Sequence, residues 1–316
     1  MNFDDFKNSL MNENKNLFKK IPKTNTHAHG LLSSNSNLFY QEFQKKINGF
    51  KRVSSIKEFN EFVNRNLETM IKNKEKQFKL YELSILTAIN DGITILDISL
   101  DYKTVYKLFD NSVKNYINEV KNLKKKYDSK IKINFDLGIS RKSYKKNDIT
   151  LIKRLIDSKV FHGIDLYGDE LSKNITAFKK IYKYAKSKNM LLKAHVGEFG
   201  NARSIKRAIK VLNLDVVQHG INIVQSKRIM SFAKKKKVKF NICISSNLLM
   251  SRVNNIKNHP IRKMYDYGLI VTINTDDELI FGKSLFDEYI LLYKNNIFNI
   301  NELYTILENG FFHRDS

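Results

Sequence analysis

Eight short apolar runs punctuate the chain, and stretches with helical spacing fill the intervals between them. The runs start at about Thr24 and continue at Ile93–Leu100, Ile131–Ile139, Val160–Tyr167, Leu191–Val196, Val216–Ile221, Lys239–Ile244 and Leu269–Asn274. Helical patterns lie near 103–127, 148–157, 172–188, 201–212, 225–236, 256–267 and 283–294. Strict alternation of this kind predicts parallel strands joined by crossover helices. Eight such units in 316 residues fit a closed (β/α)8 TIM barrel, an α/β fold, better than an open sheet. Two additions decorate the pattern. Phe3, Phe6, Leu10 and Phe18 predict a short amphipathic helix ahead of the first strand. After that strand, residues 30–55 carry Leu38, Phe39, Phe43, Ile47 and Phe50, which predict short helices, and one long helix is expected from Ile56 to Asn90, stopped by Gly92. Together these would make a helical lid. With two prolines and no Pro/Gly linker, residues 1–316 are expected to form a single domain.

Composition narrows the class. No apolar run is long enough to span a bilayer, and the polar start MNFDDFKNSL is not a signal peptide, so a cytoplasmic protein without membrane contact is expected. One cysteine, Cys243, excludes an intramolecular disulfide and any cysteine-cluster zinc site. The net charge of +24 invites a nucleic-acid partner. However, the lysines are spread along the chain without interleaved aromatics, and the runs Lys124–Lys126 and Lys234–Lys237 fall near helix ends. Nucleic acid is therefore not an expected partner.

In such a barrel, chemistry gathers at the C-terminal ends of the strands. Polar residues of unusual type end six of the eight runs: His27 and His29, Asp165–Glu170, His195 and Glu198, His219, Ser245–Asn247, and Asp276–Asp277. Four of the seven histidines are among them. His27 and His29, two apart on a strand, face the same side, and His195 can add a third nitrogen. Asp276 or Asp277 can add an oxygen. Three imidazoles and a carboxylate suit zinc first, with iron, cobalt or manganese as alternatives. Glu198, three residues past His195 across a glycine turn, is placed to stand beside a metal without binding it, as a general acid/base does. The remaining histidines read as structural: His162 at the start of strand four, His259 in a turn before a helix, His313 in the C-terminal tail.

The segments PKTNTHAH at 22–29, DLYGDE at 165–170, HVGEFGNARSIKRAI at 195–209, VQHG at 217–220 and TINTDDELIF at 272–281 resemble, in order and spacing, the adenosine deaminase family of metal-dependent hydrolases. The resemblance implies one zinc ion held by His27, His29, His195 and Asp276. It implies Glu198 as the acid/base that protonates purine N1, and His219 as the group that orients the attacking hydroxide and stabilises charge. It implies Asp277 as a partner for N7 and the Gly168 N–H for N3, with His29 also bordering the substrate. The implied reaction is deamination of adenosine or 2′-deoxyadenosine to the inosine form. One departure bears on the substrate. Gly30–Leu31–Leu32 stands where the family has Leu-Asp-Gly, so the usual carboxylate contact to the ribose 5′-hydroxyl is missing. Adenine, or a modified or phosphorylated adenine nucleoside, is the alternative, with Lys45, Lys46, Lys51 and Arg52 as candidates for a phosphate. A catalytically inactive nucleoside-binding protein of the same fold is the remoter one. Tyr167, Phe39 and Phe43 are candidate pocket walls.

Overall fold

A computed structural model describes residues 2–312, which places His313 outside the described residues. Its eight strands are β1 (Thr24–His29), β2 (Ile95–Asp101), β3 (Lys132–Ser140), β4 (Gly163–Tyr167), β5 (Leu191–His195), β6 (Val216–Gln218), β7 (Lys239–Ile242) and β8 (Ile270–Ile273). They pair in parallel in sequence order, and a parallel bridge between Ala28 and Asp276 brings β8 back to β1. Asn274 helps to close that seam: its Oδ1 accepts from the Thr26 N–H at 2.7 Å. The fold is the (β/α)8 barrel that the alternation predicts. No helix among the described residues is long and apolar enough to cross a membrane.

Several element boundaries differ from the periodic reading, and polar caps explain them. The helix expected over 56–90 is two, Ile56–Ile71 and Lys74–Asn90, because the Asn73 side chain accepts from the Lys76 N–H and starts a new helix. The stretch 103–127 likewise splits into Thr104–Leu108 and Val113–Tyr127, with Asp110 and Asn111 at positive φ and Ser112 as the new cap. The N-terminal helix also divides, into Phe3–Met11 and Lys15–Lys19, around the Asn14 cap. Beyond the last expected helix the structure adds Ile300–Asn309, opened by a capping box of Asn299 and Glu302.

The lid consists of Ser36–Phe43 and the two helices that follow, and it packs through its own apolar cluster. Leu32, Phe39, Phe59, Leu67, Met250 and Phe281 are buried members, so the lid's core is continuous with the ends of β1, β7 and β8. Backbone stitches hold it down. Arg52 donates to the carbonyls of Val253 (2.7 Å) and Asn254 (3.2 Å). In return, Arg252 donates to the Ser54 carbonyl at 2.7 Å.

Candidate active site

At the C-terminal rim the structure gathers His29, His195, Glu198, His219, Asp276 and Asp277 around one cavity, with His27 packed against His195. His27 Nε2 and His195 Nε2 lie 3.0 Å apart. Each ring has its outer nitrogen engaged elsewhere. His195 Nδ1 is 3.2 Å from Asp165 Oδ1, a carboxylate oxygen that only accepts, so the ring proton sits there. Ser99 Oγ donates to the other Asp165 oxygen at 2.8 Å, fixing the carboxylate in turn. His27 Nδ1 lies 3.2 Å from Cys243 Sγ. Burial holds the Cys243 thiol well above its usual pKa, which makes it a neutral neighbour of His27. Burial also pushes His27 well below the ordinary imidazole value, the nearby Asp276 charge notwithstanding.

The arrangement has the shape of a cation site. The His195 Nε2 lone pair points at His27 Nε2, so two imidazole nitrogens converge on one spot at the rim. His27, His29 and His195 offer nitrogens within 4.8 Å of one another. His29 Nε2 and Asp276 Oδ1 are buried without a hydrogen-bond partner. Asp276 Oδ1 is 3.6 Å from His27 Nε2 and 3.3 Å from His29 Nδ1. Three nitrogens, one oxygen and outer partners that set ring orientation are the donor set a divalent metal takes.

Glu198 rides on a loop whose backbone polarity is fully engaged. The Glu170 carboxylate accepts from the N–H groups of Gly197 (2.6 Å), Glu198 (3.2 Å), Phe199 (3.0 Å) and Gly200 (3.0 Å). A Cβ at residue 200 would lie 2.3 Å from Glu170 Oε1, and residue 197 has φ +78°, so both glycines serve this cradle. On the other side, Asn222 Nδ2 donates to the carbonyls of Glu198 (3.1 Å) and Gly200 (2.8 Å). Thus anchored, the Glu198 side chain enters the cavity. Burial, followed by the Asp276 charge, raises its carboxyl well above the usual range, which favours the protonated form.

His219 Nε2 lies 3.7 Å from both Glu198 Oε2 and Asp276 Oδ2. Burial lowers its pKa to about 3, so the ring is neutral. His219 (φ 59°) and Asp276 (φ 60°) both adopt the left-handed backbone region, a strain of about 1–3 kcal/mol each for non-glycine residues that collects at functional sites. Asp277 Oδ1 is 2.8 Å from His29 Nδ1. Burial raises the Asp277 carboxyl despite the opposing pull of His29.

The cavity measures about 550 Å³. Tyr167 and Gly168 form one wall, and Leu31, Leu32, Ile56, Phe59, Met250 and Phe281 form an apolar side beneath the lid. Phe39 and Phe43 do not line it. They stack on each other at 5.1 Å within the lid, and Phe59, one helix further on, takes the place expected for them. Phe59→Ala should therefore raise KM about 5-fold, the equivalent of about 1 kcal/mol of lost apolar contact, with a smaller change in kcat. Steady-state kinetics beside Phe39→Ala would check this, and equal KM values for Phe59→Ala and the parent would refute it. The lid cations turn elsewhere as well. Lys45 donates to the Asn66 carbonyl and Lys46 sits over the Tyr40 ring. Lys142, which the sequence reading passed over, is the lysine that borders the cavity.

The sequence reading assigned no role to Asp165, Glu170, Asn222, Asn247 or Cys243. Asp165 and Glu170 lie inside the DLYGDE segment, and that segment was their available signal. The contacts of Asn222 and Cys243 depend on which strands the fold makes adjacent. His162 is exposed at the opposite end of the barrel from the cavity, and His259 is buried close to His219.

Comparison with known proteins follows this geometry. The family model described as adenosine deaminase matches residues 36–312. A putative adenosine/adenine deaminase of Treponema pallidum is 31% identical over 268 residues, covering 84% of this chain and 89% of that protein. Among solved structures, adenine deaminase from Arthrobacter aurescens superposes with a TM-score of 0.77 at 20% identity, covering 92% of each chain. A zinc-bound amidohydrolase from Burkholderia ambifaria does so with a TM-score of 0.73 at 19% identity, covering 94% of this chain and 86% of that one.

Proposed function

The chain belongs to the adenosine deaminase family, hydrolytic deaminases of adenine-type compounds, and from that premise we propose that it converts adenosine or 2′-deoxyadenosine to inosine or 2′-deoxyinosine with release of ammonia. The observation that carries this reading is a buried carboxyl, Glu198, that lines the cavity beside His219 and the cluster of three histidines and Asp276.

On this reading the purine enters with its amino-bearing carbon C6 toward the histidine cluster. His27, His29, His195 and Asp276 would hold one divalent metal, zinc by the donor set, which when bound lowers the pKa of water enough to supply a nucleophilic oxygen at neutral pH. Glu198 gives its proton to N1 as the C–O bond forms, so that negative charge does not build up on the ring. His219 faces the oxygen being added and stabilises it electrostatically. The C6–N bond then breaks, the amino group taking the proton of the hydroxyl added at C6 and leaving as ammonia, while that oxygen becomes the C6 carbonyl of the product. Asp277, which also lines the cavity, forms a hydrogen bond with N7. The Gly168 N–H meets N3 from the wall it shares with Tyr167.

The sugar end favours a second reading on the same chemistry. Leu31 and Leu32 present apolar surface where the resemblance would have put a carboxylate for the 5′-hydroxyl, so free adenine is the alternative substrate. A phosphorylated nucleoside is less favoured, because Lys45 is committed to the Asn66 carbonyl and Arg52 to those of Val253 and Asn254. The test is the ultraviolet change on deamination by zinc-loaded protein, run with adenosine, 2′-deoxyadenosine, 5′-deoxyadenosine and adenine. Adenosine and 5′-deoxyadenosine are expected to agree in kcat/KM within about threefold, since an exposed or unmade hydrogen bond is worth less than about 1 kcal/mol. Turnover of adenine alone would shift the assignment to the base, and turnover of none would overturn it.

A further inference from the structure

His259, which reads from sequence as a turn residue, is buried against the barrel and ends a hydrogen-bond chain that runs to His219. The direction of every bond in that chain follows from its anchor. A backbone N–H can only donate, and the Ile261 N–H lies 3.1 Å from His259 Nδ1. His259 Nδ1 is therefore an acceptor, and the proton of this neutral ring sits on Nε2. That nitrogen lies 3.3 Å from Asn247 Oδ1 and donates to it. With its oxygen so taken, the Asn247 amide turns Nδ2 toward His219 Nδ1 at 3.2 Å. An amide nitrogen only donates as well, so His219 Nδ1 accepts, and the His219 proton is left on Nε2. Asn247, His219 and His259 are all buried, at 0%, 2% and 3% exposure, which removes bulk water as a competing partner.

We propose that His259 and Asn247 are positioning residues that lock His219 in its Nε2–H tautomer, making it a fixed hydrogen-bond donor into the cavity. An unconstrained neutral imidazole divides its proton between two nitrogens. Here the wrong choice would aim a lone pair at the Asp276 carboxylate and at the oxygen arriving on the purine. The right choice aims an N–H at them without reorganisation during the reaction, the condition under which electrostatic stabilisation is largest. In its neutral resting form His219 then donates to the attacking oxygen from Nε2, and that nitrogen has no lone pair with which to take a proton. The chain starts at a main-chain amide just inside the helix Ile261–Asp266, so the tautomer is ultimately set by the fold.

The inference rests on the reading that His219 faces the reacting oxygen, and its test separates the two. Zinc-loaded protein labelled with 15N in histidine would be compared as the parent, His259→Phe and His259→Gln. Phenylalanine fills the space without a donor, whereas glutamine can place an N–H near the position of Nε2. The parent and the Gln variant should show His219 protonated at Nε2 in long-range 15N–1H spectra, and the Phe variant a mixture of tautomers. In turnover, the Phe variant should lose roughly 10-fold or more in kcat, with KM within about threefold of the parent, and the Gln variant should recover most of the loss; misdirected tautomers cost up to about 10⁴-fold in hydrolytic triads. A parent ring protonated at Nδ1 overturns the proposal. So does a Phe variant with parental spectra and kcat, or a Gln variant as impaired as Phe. If the parent deaminates no purine, the functional reading fails while the spectra still decide the relay.

Discussion

Glu198→Gln is expected to abolish nearly all turnover while leaving the protein folded and metal-competent. Glutamine keeps the size of the side chain and its contacts with the Glu170-anchored loop but has no acidic proton for N1. General acid catalysis contributes roughly 10²–10⁴-fold, and the loss should appear in kcat with little change in KM. The pH dependence sharpens the expectation. Burial and Asp276 raise the Glu198 carboxyl, and the active form is the protonated one. Activity of the parent should therefore fall on the alkaline side, as pH passes through a pKa above the ordinary carboxylate range. The same shift has a cost in stability. A carboxyl whose folded pKa is raised supports the fold fully below its unfolded pKa and less as pH climbs through the folded value. At neutral pH and above, the neutral glutamine should thus melt no lower than the parent. A variant with more than a tenth of parental kcat would remove Glu198 from the mechanism. A variant that no longer retains metal would show that its role is to shape the site.

The relation between Glu198 and Glu170 illustrates what was legible in the sequence. Strand ends announce themselves because an apolar run that stops at His, Glu or Asp contradicts the pattern that precedes it. His27, His29, His195, Glu198, His219, Asp276 and Asp277 all stand out in this way, and the barrel brings them together at one rim, where all but His27 line a single cavity. The groups that hold them carry no such signature. Glu170 resembles any loop carboxylate until four N–H groups are seen to converge on it. Cys243 and Asn247 act across the barrel, on His27 and His219, through neighbours separated by 216 and 28 residues in the chain. Periodicity failed where a single polar side chain outvoted it. Asn73 and Ser112 each start a helix in the middle of a stretch whose apolar spacing continues unbroken, because satisfying the free N–H groups of a new first turn outweighs keeping the old helix straight. The lid walls were misplaced for a related reason: Phe39 and Phe59 have the same chemistry, and only packing decides that the second meets the cavity.

Lys193→Met should produce the largest loss of stability of any single substitution in the barrel, roughly 3–5 kcal/mol, the cost typical of leaving a buried charge without its partner. Lys193 lies in β5 with its side chain fully enclosed, and Nζ is 2.6 Å from Asp97 Oδ2 and 2.7 Å from Asp136 Oδ2. Asn134 donates to the remaining Asp97 oxygen at 2.8 Å, whereas Asp136 Oδ1 is buried with no hydrogen-bond partner. Burial pushes the Asp136 carboxyl up in spite of the lysine. Burial also opposes ionisation of Asp97, but Lys193 and Lys239 overcome it and hold that carboxyl low. Removing the ammonium leaves two carboxylates enclosed near the single remaining cation, Lys239, whose own pKa burial has lowered to about 8. Both carboxyls would then have folded pKa values above their unfolded ones. The sign follows from linkage: their contribution is favourable at acid pH, where both are protonated, and lost as pH rises through the folded values. The deficit of Lys193→Met against the parent should accordingly be small near pH 5 and large near pH 8, where a drop in Tm of roughly 5–8 °C is expected for a domain of this size. Adding Asp97→Leu, Asp136→Leu and Lys239→Met should return much of the loss, because apolar replacement of a whole buried ion cluster is close to neutral. Thermal unfolding at the two pH values reads out both expectations. A pH-independent deficit would assign the loss to packing around the lysine stem instead of to charge, and a quadruple variant weaker than Lys193→Met would show that the polar cluster supports the barrel floor by itself.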